Sequence, residues 1–186
     1  MHTILIFTKK DMQDCSELVS VYEKIGYPCF MVDNLTGEGT AEVRDFIKGR
    51  TSALIGNSGV GKSSFINCIF PELNKETNSI SRKLGRGRHT TRDVEMYPFE
   101  GGYLADTPGF STVDIERYGR IDKAEIRYSF REFSEFSDDC RFNNCMHLKE
   151  ADCKVTEAVK NGLIASSRYD SYVRMYNEAV EASKKW

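Results

Sequence analysis

The segment Gly56-Asn57-Ser58-Gly59-Val60-Gly61-Lys62-Ser63 has the pattern G-x-x-x-x-G-K-[ST] between an apolar run and an amphipathic, helix-spaced stretch. Residues of these types suit phosphate. The glycines let backbone N–H groups wrap phosphate oxygens, and the N-terminus of a following helix adds favourable partial charge. Lys62 is expected to neutralise the β and γ phosphates, and Ser63 to place its hydroxyl on a Mg²⁺ ion bridging the same oxygens. Asp106-Thr107-Pro108-Gly109 begins 44 residues after Lys62. Asp106 closes an expected strand, where an acid can serve the Mg²⁺ ion through its water. Gly109 can offer its N–H to a γ-phosphate with no Cβ in the way.

A second kind of chemistry is written in Cys140-x4-Cys145-x-His147-x5-Cys153, which supplies three thiolates and one imidazole within 14 residues. That is a complete tetrahedral set for Zn²⁺ with no position left open, so the site is expected to be structural. Such a site contributes about 10–16 kcal/mol of apparent folding free energy to a small module. Disulfides are the alternative for these cysteines. The absence of a secretion signal and the single scattered positions of Cys15, Cys29 and Cys68 favour a metal in a reducing compartment.

Thr8-Lys9-Lys10-Asp11 lies ahead of the phosphate loop and has the form [N/T]-K-x-D, which reads guanine. The Asp11 carboxylate can accept from guanine N1 and N2, an interaction of about 1.5–3 kcal/mol that adenine cannot make. Thr8 stands where Asn is more usual, and its shorter hydroxyl can still bridge neighbouring loops. In most GTPases this element comes last, so the order points to a circular permutation. Between the phosphate loop and Asp106, the stretch Arg82 to Arg92 is polar and glycine-bearing, the composition of a switch loop. Thr91, or less readily Thr90, could ligate Mg²⁺. His89 could orient an attacking water or be an exposed loop residue, and the five cations could meet RNA phosphates or simply solvate the loop. Phe110 occupies the place where many regulatory GTPases carry a water-orienting Gln and can make no such bond.

These groups need a scaffold of strands and helices, and the apolar spacing supplies one. Residues 3–7, 28–32 and 51–55 read as strands, and Leu18 to Ile25 and Val43 to Ile47 as helices. Phe65 to Phe70 forms a helix stopped by Pro71. Strands 94–99 and 102–105 flank Glu100-Gly101 as a hairpin. Alternation of this kind predicts an α/β sheet. Beyond Thr112 the β signal fades and Tyr169, Tyr172, Val173, Tyr176 and Val180 make one helical stripe. The expected organisation is a circularly permuted P-loop GTPase domain over 1–112 and a small α-helical, zinc-binding domain over 113–186. The 186 residues are 40% apolar, enough for packed cores, and 26 Lys and Arg against 28 Asp and Glu exclude a generally basic nucleic-acid binder. No long apolar run or leader is present, so a cytoplasmic protein without a membrane partner is expected.

The phosphate loop continued through Ser64, the Gly87-Arg88-His89-Thr90-Thr91 switch, Asp106 to Phe110 and the Cys140 to Cys153 cluster together closely resemble the RsgA (YjeQ/YloQ) family of circularly permuted ribosome-assembly GTPases. The likeness spans nearly the whole chain. It implies GTP hydrolysis in late maturation of the small (30S) ribosomal subunit, with rRNA contact through the zinc domain and the basic switch loop. A monomer with no DNA partner is expected. The implied catalytic residues are His89, Lys62 and Thr91. The implied GTP/GDP contacts are Thr8, Lys9, Asp11, Asn57, Ser58, Gly59, Val60, Gly61, Lys62, Ser63, Ser64, Thr91, Asp106 and Gly109. Mg²⁺ would fall to Ser63 and Thr91, and Zn²⁺ to Cys140, Cys145, His147 and Cys153.

Three departures from the family pattern stand out. No N-terminal OB-fold precedes Met1, Val32-Asp33-Asn34 replaces the Ser-Ala pair of the second base loop, and one strand expected before residue 3 is missing. Either the sheet closes up with five strands, or the chain is a fragment or a short paralogue. A guanine-nucleotide-dependent RNA-binding or assembly module with little hydrolysis is the competing reading, and an ATPase is disfavoured by Asp11.

Overall fold

The computed structural model describes residues 2–10, 12–57, 59–71, 94–107 and 122–184. Its elements run β1 (Leu5–Thr8), α1 (Ser16–Lys24), β2 (Cys29–Val32), α2 (Thr40–Ile47), β3 (Thr51–Leu54), α3 (Lys62–Ile69), β4 (Glu95–Phe99) and β5 (Gly102–Asp106). They continue with α4 (Lys123–Ile126), two single 3₁₀ turns (Arg127–Ser129 and Arg131–Phe133), α5 (Ser134–Ser137), α6 (Lys154–Lys160) and α7 (Ser166–Lys184). The chain divides into two compact units, Met1–Val113 and Asp114–Trp186.

In the first unit the described strands form two sheets, not one five-stranded sheet. β1 pairs in parallel with β2, and β3 pairs in parallel with β5, which also takes β4 antiparallel. Among the described residues no ladder joins β1 to β3. The joining is done by helices, because α2 packs on both β2 and α3 while α3 packs on β5. Val32, Val43, Ile47, Phe65, Ile66, Ile69, Phe99 and Leu104 make one buried cluster across both sheets. Each large side chain in it contributes about 1.5–3 kcal/mol through burial. Arg44 of α2 locks the arrangement: Nη1 donates to the Ile69 carbonyl at the end of α3 at 3.0 Å, and Nη2 meets Glu100 at 2.7 Å.

The β4–β5 hairpin turns through Glu100 and Gly101 with φ of 39° and 85°, two positive values of the kind that match the right-handed twist of the flanking strands. Gly101 adopts its value without strain. Glu100 is held there by Arg44 and by Lys48, whose ammonium lies 3.4 Å away.

The second unit is helical, with short turns around one long helix. Ile126, Phe130, Phe133, Val155, Ala158, Ile164 and Tyr172 form its core, and Cys140, Cys145 and Cys153 belong to the same buried cluster. Asp122 starts α4 by accepting the Ala124 N–H at 2.9 Å. The α7 stripe faces inward through a fully buried Tyr172, flanked by Tyr169 and Val173, with Tyr176 against it at 6.3 Å between ring centroids. Glu132 and Arg168 form a buried ion pair at 2.7 Å, with side-chain exposures of 5% and 15%. The Arg168 guanidinium also lies 4.6 Å over the Phe130 ring.

Candidate functional site

β3 delivers the glycine-rich loop, and α3 begins at Lys62 with no acidic side chain in its first turn to compete with an anion. Lys62 Nζ donates to the carbonyls of Gly56 and Asn57 at 2.5 and 3.1 Å, so the ammonium lies across its own loop. Ser63 and Ser64 are exposed on the same first turn. Leu54 is the ladder partner of Asp106, which brings the acid out of the sheet beside the loop. The Thr107 hydroxyl fastens this exit by donating to the Leu54 carbonyl at 2.5 Å. Burial raises the Asp106 carboxyl above its ordinary range, and the neighbouring Lys62 charge pulls it back.

Two further loops close on the phosphate loop by side-chain bonds to consecutive carbonyls. The Thr8 hydroxyl donates to Val60 at 2.5 Å, and Asn34 Nδ2 donates to Gly61 at 3.1 Å. Thr8 thus makes the loop-bridging contact expected of it. Gly61 has a φ of 95°, and a Cβ there would stand 2.8 Å from Asn34 Nδ2 and 3.8 Å from Thr8 Oγ1. Its lack of a side chain is therefore required twice, by conformation and by the closeness of Asn34.

The second loop is further secured from within and from below. The Asp33 carboxylate accepts the Leu35 N–H at 2.7 Å, and the Cys68 thiol of α3 donates to the Asn34 carbonyl at 3.0 Å. Burial raises the Cys68 thiol, keeping it protonated as a donor. Lys10 and Glu38 tie the first loop to the second at 2.5 Å, a half-exposed contact of small energetic weight. Lys9 takes a φ of 60° in the turn between Thr8 and Met12. Asp11, Ser58, His89, Thr90, Thr91, Gly109 and Phe110 lie outside the described residues.

The second unit brings Cys140, Cys145, His147 and Cys153 together, with all ligand atoms within 4.8 Å of one another and every residue buried. A tetrahedral Zn²⁺ with bonds of about 2.3 Å to sulfur and about 2.0 Å to nitrogen would separate two sulfurs by about 3.8 Å and a sulfur from the nitrogen by about 3.5 Å. The Cys140 and Cys153 sulfurs are 3.9 Å apart and lie 3.6 and 3.5 Å from His147 Nδ1. The donor set fits that ion, and all three cysteines are free, which removes the disulfide alternative.

The tautomer follows from the neighbours. Ser137 Oγ donates its hydrogen to the Phe133 carbonyl at 2.7 Å, so at 3.3 Å it accepts from His147 Nε2–H and leaves the Nδ1 lone pair facing the sulfurs. Burial raises the Cys145 thiol to about 12, a cost that a bound cation reverses by holding the thiolate. The Lys154 N–H adds a 3.4 Å bond to the Cys140 sulfur.

Sequence spacing did not disclose Asn34, Cys68 or Ser137. Asn34 was visible only as a departure from the Ser-Ala pair, and the other two carry no local signal.

A phosphate loop entered from β3, an acid leaving β5 beside it, and a base-loop strand that precedes both in the chain define the fold of a circularly permuted P-loop GTPase, here followed by a Cys3His unit. Comparison with known proteins agrees. The RsgA GTPase family model matches residues 1–116, and the chain belongs to that family. It is 46% identical over 186 residues to a small ribosomal subunit biogenesis GTPase RsgA of Caldanaerobacter subterraneus subsp. tengcongensis, covering 98% of this chain and 62% of the relative. A protein of the same name from Staphylococcus haemolyticus is 45% identical, with 94% and 60% covered. Among solved structures, YloQ, described as a circularly permuted GTPase, superposes with a TM-score of 0.74 at 31% identity, covering 96% of this chain and 57% of that one. YjeQ from Thermotoga maritima gives 0.73 at 35%, with 96% and 60% covered. The chain thus spans about 60% of the length of these relatives.

Proposed function

We propose that this chain binds GTP and GDP with Mg²⁺, hydrolyses GTP, and acts in the cytoplasm in late maturation of the small ribosomal subunit. The observation that carries this reading is the closing of two base-loop side chains, Thr8 and Asn34, on consecutive carbonyls of a phosphate loop whose lysine lies beside Asp106. In this reading the Asn57 to Ser64 backbone and Lys62 hold the phosphates, Lys9 and Asp11 face the base, and Gly109 meets the γ-phosphate. Ser63 and Thr91 would ligate Mg²⁺, with Asp106 acting through its water, and the ion would offset charge on the transferred phosphoryl group. His89 would orient the attacking water, since Phe110 cannot.

The Cys3His unit over 113–186 would hold one structural Zn²⁺ and, with the basic switch loop, present the monomer to rRNA. The 1–112 domain would carry the nucleotide. No membrane or DNA partner is invoked. Support comes from the names of the relatives, which describe small-subunit biogenesis GTPases. Support for zinc comes from the spacing of the four ligand atoms.

The test is GTP turnover by zinc-loaded protein with and without purified small subunits. Stimulation that His89→Ala abolishes is the expected result. No turnover in the presence of subunits would sink the enzymatic reading. Tight GDP binding with turnover unchanged by His89→Ala would instead favour a nucleotide-dependent assembly module.

A further inference from the structure

The Cys145–Glu150 turn has its polar backbone groups held from two sides. Its carbonyls are taken by the surrounding helices: Arg127 Nη1 donates to Cys145 at 2.6 Å, the Tyr172 hydroxyl donates to Met146, and the Tyr169 hydroxyl donates to His147 at 2.8 Å. Its amides are taken by one side chain. The Glu150 carboxylate accepts from Met146 N at 2.9 Å with one oxygen, and from Leu148 N at 2.8 Å and Lys149 N at 3.0 Å with the other. The amide between them, that of His147, favours the charged form of the Cys145 thiol.

The residue bracketed in this way is the strained one. His147 has a φ of 57°, a left-handed conformation that costs a non-glycine residue about 1–3 kcal/mol and persists only where the surroundings enforce it. Glu150 holds the amides immediately before and after it. The carboxylate is no fifth ligand, because both oxygens are engaged with N–H donors and the four-residue metal group does not include it.

We propose that Glu150 is a positioning residue for the metal: by holding the Met146 and Leu148 amides together, it keeps His147 in the left-handed turn that aims Nδ1 at the cysteine sulfurs. The inference rests on the zinc reading of the Cys3His cluster. Three charge-assisted bonds to one carboxylate are of the strength this task needs, since each is about twice as strong as a neutral bond. In Glu150→Gln the carboxamide retains a single acceptor oxygen, and its NH₂ must face at least one backbone N–H.

The experiment is a chelator-competition titration of Zn²⁺ on the full chain, with Co²⁺ spectra, for parent, Glu150→Gln and Arg141→Gln. Arg141→Gln is the control, because it breaks an exposed 3.1 Å pair with Asp152 in the same module. Zn²⁺ affinity should fall about 10- to 100-fold in Glu150→Gln, the range seen when groups supporting a metal ligand are removed. Its Co²⁺ bands should move toward a site lacking imidazole, while the control stays within about twofold of the parent. Affinity and spectrum both matching the control would overturn the proposal. If Glu150→Gln is unfolded as purified, recovery of helical signal at raised Zn²⁺ supports it, and no recovery at saturating Zn²⁺ overturns it. A parent that binds no Zn²⁺ at all would sink the zinc reading itself, a result distinct from equal binding by parent and variant.

Discussion

Gly61→Ala isolates the contact that joins the second base loop to the phosphate loop. The φ of 95° costs a residue with a Cβ about 1–2 kcal/mol. The new methyl carbon would stand 2.8 Å from Asn34 Nδ2, so the amide must withdraw from the Gly61 carbonyl, a loss of about 0.5–1.5 kcal/mol. Together these give about 1.5–3.5 kcal/mol. The Phe65 amide donates to the same carbonyl at 2.9 Å, so its hydrogen exchange reads the damage directly. A loss of protection of about 13- to 370-fold is expected, from 1.36 kcal/mol per tenfold. In an Asn34→Gly background only the conformational cost remains, so the two substitutions should couple by about 1 kcal/mol, or roughly fivefold in protection. Additivity within about 0.3 kcal/mol would refute the close-approach argument, and a change at Phe65 below about threefold would refute the conformational one.

Lys62→Ala should weaken GDP binding by about 10- to 150-fold in a calorimetric titration, since its β-phosphate contact of about 1.5–3 kcal/mol is lost, while exchange along α3 stays near that of the parent. Removal of zinc with a strong chelator, or Cys153→Ser, should abolish the helical signal and exchange protection of residues 122–184, because the ligand cysteines are part of that unit's core. Retained protection there after metal removal would show the site to be dispensable. Arg168→Met should destabilise the second unit by about 3–5 kcal/mol in urea unfolding followed by exchange, because it leaves a buried carboxylate facing a thioether. Arg168→Met combined with Glu132→Leu should recover most of that loss; no recovery would mean that the ion pair is not its cause.

Much of the α/β part was legible because its signals are local. A strand, a glycine-rich loop and a helix follow one another within about twenty residues, and hydrophobic period alone separates the β elements from the helices. The hairpin turn at Glu100-Gly101 is likewise a two-residue signal. The sheet was less legible. A sheet closed up with five strands was one of the alternatives the sequence left open, and the described strands instead form a pair and a triplet, joined through α2 and α3. Strand existence is a property of a few consecutive residues, but which strand edges meet depends on how the helices pack between them.

The same division runs through the two sites. Residue types and spacing were enough to nominate Lys62, Asp106 and the four Cys and His ligands, because phosphate cradling and tetrahedral coordination each demand particular side chains at short separations. No spacing rule could name the groups that hold those side chains in place. Thr8 reaches a carbonyl 52 residues away and Asn34 one 27 residues away, while the carbonyls around His147 are taken by tyrosines of α7 more than 20 residues further on. Glu150 lies only three residues from His147, yet in sequence it is indistinguishable from any solvated loop carboxylate. A hydrogen bond is short-ranged and directional, so its donors and acceptors are chosen only once packing has brought distant segments within reach.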